Sequence, residues 1–143
     1  MMTVREVLDA KGRGVLSVDP GCTVFDALTM MAEQNVGAVL VVDGARTLGI
    51  FTERDYARQV VLKGRTSRET LVRDVMTARV VYVVPTHTVD ECMALMTDMR
   101  CRHLPVLEAG RLAGIVSIGD IVKSVIADRE YTIDRLVQYI TSG

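Results

Sequence analysis

The chain has 143 residues, of which 49% are apolar, and its 17 Lys and Arg residues nearly balance its 18 Asp and Glu residues, giving a net charge of −1. With no Trp, two Phe and four Tyr, the composition favours neither a phosphate-backbone grip nor a base-stacking surface, so we expect no nucleic-acid partner. No apolar run approaches the ~18 residues of a membrane span, and the N-terminus lacks a signal-peptide layout. We therefore expect no membrane association and a cytoplasmic location.

The cysteines predict neither a disulfide framework nor a metal site. An odd count without a secretory signal favours reduced thiols. No pair has the CxxC spacing typical of zinc ligands. Cys92 falls in helical register with Val89 and Met96, which favours a packing role. The three cysteines are Cys22, Cys92 and Cys101.

Helix-start signals and apolar runs divide the first half of the chain into elements. Thr3, Thr23 and Thr52 each precede an acidic residue three positions on, and each predicts a helix start. Asp43-Gly44 predicts a hairpin turn between two apolar strands. In chain order we predict a helix over 3–8, a strand over 15–18, a helix from 23 to a left-handed stop at Asn35, strands over 38–42 and 48–51, and a helix over 52–62. Residues 65–69 are the predicted linker.

The same order starts again after the linker. Residues 71–76 resemble the opening helix, and the apolar run 80–84 predicts a strand. A capping box at Thr88 predicts a helix to Met99, followed by hairpin strands over 104–107 and 112–116 and a closing helix from Ser117. Thr132 predicts the start of a separate last helix, whose apolar stripe must lie on its own domain or on a second subunit. That stripe is Ile133, Leu136, Val137 and Ile140.

Residues 15–61 align with residues 80–126 without a gap, which indicates an internal duplication. Each copy ends in Gly-apolar-apolar-Thr/Ser-x-x-Asp at a strand–helix junction, at 49–55 and again at 114–120. A hydroxyl and an acid at this spacing can simply cap a helix. Their repetition at two equivalent junctions favours a second interpretation, in which the hydroxyl and carboxylate of each copy face a ligand. Identical aligned pairs include Pro20/Pro85, Thr23/Thr88, Arg46/Arg111, Gly49/Gly114 and Asp55/Asp120.

This element order with this closing motif resembles a CBS domain, and the two copies, over residues 3–127, resemble a Bateman module. The segment Arg102-His103-Leu104-Pro105-Val106 strengthens the resemblance. The resemblance implies an α/β (α+β) fold of tandem CBS domains, each a small three-stranded sheet with flanking helices, related by pseudo-twofold symmetry. We place the first domain at 1–64, the second at 70–127 and a C-terminal helix at 128–143.

In this family, clefts between paired copies bind adenosine compounds, with the motif Asp on the ribose hydroxyls and the motif Thr or Ser facing the phosphates. Carried over by resemblance, one pocket comprises Thr52, Arg54, Asp55, Thr77, Val81, Cys101, Arg102 and His103. The other comprises Gly12, Leu16, Val36, Gly37, Ser117 and Asp120. The first would gather cationic donors and the second little charge, so we expect the Asp55 pocket to prefer phosphate-rich ligands.

The resemblance implies a regulatory sensor that signals to an unknown separate protein, with AMP as the first expected ligand. ADP, ATP, NAD(H) and S-adenosylmethionine are the alternatives, and no catalytic cofactor is expected. No nucleophile–base pairing or phosphate loop is visible, so we do not expect an enzyme. A structural dimer without a ligand is the rival interpretation, with an enzyme acting on a nucleotide behind it. We expect a homodimer in either case, because methionine-rich helix faces and the tail stripe lack cover.

Overall fold

The computed structural model describes residues 2–142 and divides them into two compact units. The first unit is Val15–Val81, and the second combines the residues up to Gly14 with those from Tyr82 onward. In chain order the elements are α1 (Val4–Lys11), β1 (Ser17–Val18), α2 (Val24–Gln34), β2 (Ala38–Asp43), β3 (Arg46–Thr52), α3 (Glu53–Asp55), α4 (Val89–Met99), β4 (His103–Glu108), β5 (Arg111–Ser117) and α5 (Ile118–Ser142). The mixed α/β architecture predicted from the sequence is confirmed.

The first unit is built on a three-stranded sheet in the order β1-β2-β3. β1 runs parallel to β2, and β2 pairs antiparallel with β3 so that Ala38 lies opposite Thr52. Its core contains Phe51, Val39 and Val41, all fully buried. The predicted left-handed stop at Asn35 is confirmed by its φ of 54°. This register sets the end of β3, where the motif begins, beside the start of β2.

Residues near 70–76 belong to the first unit, although they open the second sequence copy. The amide of Val24 donates to the carbonyl of Thr70 at 2.8 Å, and the amide of Val72 donates to that of Cys22 at 2.8 Å. The helix predicted over 71–76 is reduced to a single 3₁₀ turn at Val72–Asp74. The compact units therefore cut the chain at other points than the 1–64 and 70–127 boundaries expected from the repeat.

Helix α1 opens the first sequence copy but belongs to the second unit. The amides of Val4 and Arg5 donate to the carbonyls of His87 and Pro85 at 2.8 and 3.0 Å. β4 and β5 form an antiparallel pair in which His103 lies opposite Ser117. Each unit thus holds the body of one sequence copy together with the opening segment of the other.

The strand predicted over 80–84 is wrong, because among the described residues only Val83 forms a parallel bridge there, to Val106. In the first unit the amide of Leu40 donates to the carbonyl of Leu16 at 3.0 Å and extends the ladder. The aligned residue in β4 is Pro105, which has no N–H to donate. The second sheet therefore has two strands where three were expected.

The separate helix predicted from Thr132 is also wrong, since α5 continues without a break to Ser142. The Thr132 hydroxyl donates to the carbonyl of Asp128 at 2.9 Å instead of capping a new helix. Residues 128–132 contain neither Gly nor Pro, so nothing in the chain ends the helix there. By contrast, the helix predicted over 52–62 is confirmed, as α3 followed by a π turn at Tyr56–Val61.

Candidate functional site

The first motif forms a closed hydrogen-bonded cap at the end of β3. The Thr52 hydroxyl accepts from the amide of Asp55 at 3.2 Å, and Asp55 Oδ2 accepts from the amide of Thr52 at 3.0 Å. The Thr52 hydroxyl also donates to Oδ2 at 3.1 Å. The predicted capping box is therefore confirmed, and both side chains are partly buried.

Thr77 supplies the second oxygen of Asp55 with a partner. Its hydroxyl donates to Asp55 Oδ1 at 2.9 Å. Thr77 reaches this position because it bridges Ile50 in β3, with amide–carbonyl bonds of 2.9 and 2.8 Å in the two directions. Gly49 permits the approach, because a Cβ on it would lie 2.6 Å from the carbonyl oxygen of Thr77. The structure thus brings together the predicted residues Thr52, Asp55 and Thr77.

The second motif repeats the cap at the end of β5. The Ser117 hydroxyl accepts from the amide of Asp120 at 3.1 Å, and Asp120 Oδ2 accepts from the amide of Ser117 at 2.8 Å. Aligned positions in the two copies therefore hold their carboxylates in the same local geometry, each beside the first amides of a helix.

Lys11 is the residue that the sequence interpretation missed. Its ammonium donates to Asp120 Oδ2 at 2.6 Å and to the carbonyl of Ile115 at 2.7 Å. Burial raises the pKa of the Asp120 carboxyl, but the hydrogen bond from Lys11, the amide of Ser117 and the Lys11 charge together bring that pKa below its ordinary value. Lys11 directly precedes Gly12, and this adjacency to a predicted site residue was the one available signal.

His103 and Arg102 lie in the unit that contains Asp120. His103 pairs with Ser117 across the sheet, and the carbonyl of Arg102 accepts from the amide of Ile118 at 2.9 Å. Burial lowers the pKa of His103, and the charges of Lys11 and Arg102 lower it further, while Asp120 opposes them. The expectation of little charge near Asp120 is therefore wrong within this unit.

The remaining predicted residues fall at several places in the two units. Val36 and Gly37 line a cleft of about 490 Å³ in the first unit, between α2 and the start of α3. The carbonyl of Gly37 accepts from the amide of Glu53 at 3.1 Å, so the start of β2 is tied to the motif helix. Gly12 ends α1 with a φ of 104°, one residue after Lys11. The others are Leu16, Arg54 and Val81 in the first unit and Cys101 in the second, all partly buried.

Cys92 is fully buried, which confirms the packing role predicted from its helical register. All three cysteines are free thiols. Burial raises the pKa of Cys92 to about 11, as expected for a thiol that packs in a core. Among residues 2–142, no three His, Cys, Asp or Glu side chains converge as a metal site would require. Within the same range, no helix combines the length and apolar character needed to cross a bilayer.

The sequence profile of the CBS domain matches this chain twice, at residues 3–62 and 72–127. The chain belongs to the CBS-domain family. CBS-domain pairs are regulatory modules, and the predicted family resemblance is confirmed.

Relatives share both sequence and fold. The mitochondrial CBS domain-containing protein CBSX3 of Arabidopsis thaliana is 39% identical over 150 residues, covering 99% of this chain and 73% of the relative. A candidate signal-transduction protein with CBS domains from Burkholderia ambifaria MC40-6 is 55% identical with a TM-score of 0.86, covering 89% of this chain and 96% of its own. A CBS domain protein from Pyrobaculum aerophilum, solved in complex with AMP, shares the fold at a TM-score of 0.73 and 23% identity, covering 83% of this chain and 89% of its own.

Proposed function

We propose that this protein is a regulatory module that binds an adenine nucleotide at its two hydroxyl–aspartate motifs and signals the bound state to a partner protein. The observation that carries the proposal is the repeated geometry, in which a partly buried carboxylate lies beside the first amides of a helix in each unit. Family membership supports it, and so does the AMP held by the Pyrobaculum relative.

The chemistry of the motifs suits a nucleotide. An ionised Asp has two oxygens with about four lone-pair positions, enough to accept both hydroxyls of a ribose. Amides at a helix N-terminus attract phosphate oxygens. AMP is the first expected ligand, and ADP, ATP, NAD(H) and S-adenosylmethionine share the adenosine that the carboxylate would hold. The grouping of residues from both units into one pocket stays a prediction, as does a cytoplasmic location.

Thermal unfolding with these five compounds tests the proposal, with GMP as a control that keeps ribose and phosphate but changes the base. A ligand that binds only the native state, at ~100 times its dissociation constant, adds ~2.7 kcal/mol to the free energy of unfolding. For a chain of this size the melting temperature then rises by several degrees. The sensing function is contradicted if none of the five compounds at millimolar concentration raises the melting temperature.

A structural role is the second candidate, because both carboxylates already have protein donors. Asp55 accepts from Thr52 and Thr77, and Asp120 accepts from Ser117 and Lys11. Caps of this kind stabilise a helix without any ligand. A thermal screen without any response would favour this candidate, whereas turnover of a bound nucleotide would favour an enzyme.

We also propose that the module is a homodimer joined in part through α5. Residues 127–141 of α5 are exposed throughout, and Ile126, Ile133 and Ile140 recur at every seventh position with exposed fractions of 52%, 58% and 75%. A seven-residue apolar recurrence is the pairing period of two like helices, so a second copy of this chain is the partner that fits it. Light scattering should show a dimer at tens of micromolar. A chain ending at Asp128, or the variant Ile133→Glu, should shift towards monomer, and a monomeric parent would contradict the proposal.

A further inference from the structure

Lys11 makes an ion pair with one motif aspartate. Its ammonium lies 2.6 Å from Asp120 Oδ2, and the two side chains are 32% and 18% exposed. In the other copy, Val72-Arg73-Asp74-Val75 matches Val4-Arg5-Glu6-Val7, which places Arg79 at the position of Lys11. The donor to Asp55 Oδ1 is the neutral hydroxyl of Thr77, so the two motif carboxylates meet different chemistry.

The ion pair uses the same oxygen as the cap. Asp120 Oδ2 accepts from Lys11 and from the amide of Ser117, at 2.6 and 2.8 Å. A carboxylate oxygen has about two lone-pair positions, so these two donors fill Oδ2. A ribose diol that bonds both oxygens must therefore displace one donor. The amide of Ser117 is fixed by the backbone of the cap, whereas the Lys11 side chain can rotate, so Lys11 is the donor that leaves.

Displacement leaves the ammonium with an uncompensated charge. Its bond to the carbonyl of Ile115 can persist, but a carbonyl carries no net charge to replace Asp120. Separating a charge from its partner where both are partly withdrawn from water is unfavourable. A second anion within reach of the Lys11 side chain removes this penalty, and a phosphate on the ribose supplies one.

We propose that Lys11 makes the Asp120 site selective for ligands that carry a phosphate, because its ammonium exchanges the Asp120 carboxylate for that phosphate when a ribose binds. This inference rests on the proposed nucleotide-binding function and adds the ligand class to one of its two sites. It reverses the charge preference expected from the sequence, where Asp120 was assigned the pocket with little charge.

Calorimetry with AMP and adenosine tests the role of Lys11. The Asp55→Asn background limits binding to the Asp120 site, and Lys11→Met replaces the lysine with an uncharged side chain of similar length. We expect the ratio of AMP affinity to adenosine affinity to fall about tenfold or more, as for loss of a charge-assisted hydrogen bond. Adenosine affinity itself should stay the same or rise, because its diol no longer competes with an ammonium.

Arg13→Met is the matched control. It removes one positive charge two residues away, where Arg13 pairs with Asp9 at 2.9 Å on an exposed surface. This control should keep the affinity ratio within about twofold, since exposed pairs interact weakly with their surroundings. Lys11→Gln keeps a polar side chain without the charge, and we expect it to change the affinity ratio as Lys11→Met does. Agreement between the two variants excludes a folding defect caused by methionine.

Three results would contradict the inference, and each has a different meaning for the proposed function. An unchanged affinity ratio in both Lys11 variants excludes the selective role while leaving nucleotide binding intact. Failure of the Asp55→Asn protein to bind either compound, when the parent protein binds AMP, means that Asp120 holds no ligand and that binding occurs at Asp55 alone. Failure of the parent protein to bind either compound contradicts the proposed function itself, and the inference with it.

Discussion

The two motif aspartates occupy aligned positions in a duplicated sequence, yet their surroundings differ in charge. Among the described contacts, the donors to Asp55 include the amide and hydroxyl of Thr52 and the hydroxyl of Thr77, all of them neutral. Asp120 accepts from the Lys11 ammonium and one amide. The local motif fixes where each carboxylate lies, and a segment from the other sequence copy fixes its electrostatic environment. Duplication therefore preserved the geometry of the two motifs, while the donors to their carboxylates came to differ in charge.

Substitution of Gly49 should produce the largest effect, because it moves the segment that brings Thr77 to Asp55. In Gly49→Ala the new Cβ would lie 2.6 Å from a backbone oxygen and 2.8 Å from Met76 Sδ, so the 76–77 segment must shift. We expect a loss of about 2–3 kcal/mol in the free energy of unfolding, near the upper range for overpacking.

Gly114→Ala is the matched comparison in the other copy. Its Cβ would meet the end of the Leu8 side chain at 2.8 Å, and a side-chain end can yield where a backbone oxygen cannot. We expect a smaller loss of about 1 kcal/mol, measured by urea denaturation. Equal losses in the free energy of unfolding would mean that the Leu8 side chain yields no more easily than the backbone at Thr77.

Neutralising the two aspartates should destabilise the protein unequally. Asp55→Asn keeps a residue that can bond nearby amides, so we expect a loss of no more than about 1 kcal/mol. Asp120→Asn also deprives Lys11 of its carboxylate, and we expect a loss of about 1–2 kcal/mol, since the pair is only partly buried. Adding Lys11→Met to Asp120→Asn should recover part of that loss. Additive effects would show that the ion pair does not contribute to stability.

The smallest effect concerns acid stability. The pKa of Asp120 is lowered in the folded protein, so its ionised form stabilises the fold above the ordinary carboxyl value of 3.8. That contribution is lost as the pH falls through the lowered pKa. Lys11→Met removes two of the causes of the lowering, so we expect stability to fall less steeply below about pH 4 than in the parent protein. An identical acid profile would attribute the lowered pKa of Asp120 to the amide and side chain of Ser117.

Local signals predicted the motif geometry well. The reciprocal bonds of Thr52 with Asp55 and of Ser117 with Asp120 each span three residues, and capping chemistry at that spacing is readable from sequence. The left-handed residue Asn35 and the two hairpins follow from the same short-range rules.

Long-range placement could not be predicted in the same way. The bond between Lys11 and Asp120 joins residues 109 positions apart, and no pattern in the sequence specifies it. Strand pairing sets His103 opposite Ser117, and its assignment by resemblance to the Asp55 pocket stays a prediction. The missing strand near Val83 was in principle readable, because Pro105 cannot donate to a neighbouring strand.

Calorimetry with AMP tests most directly whether the motif aspartates hold a nucleotide. The titration compares four proteins: the parent, Asp55→Asn, Asp120→Asn and the double variant. Each single variant should weaken binding at its own site about tenfold or more, since an anionic acceptor for a ribose hydroxyl contributes ~1.5–3 kcal/mol. The double variant should lose measurable binding while still unfolding cooperatively. Unchanged AMP affinity in a folded double variant would contradict the central claim and leave both residues as helix caps alone.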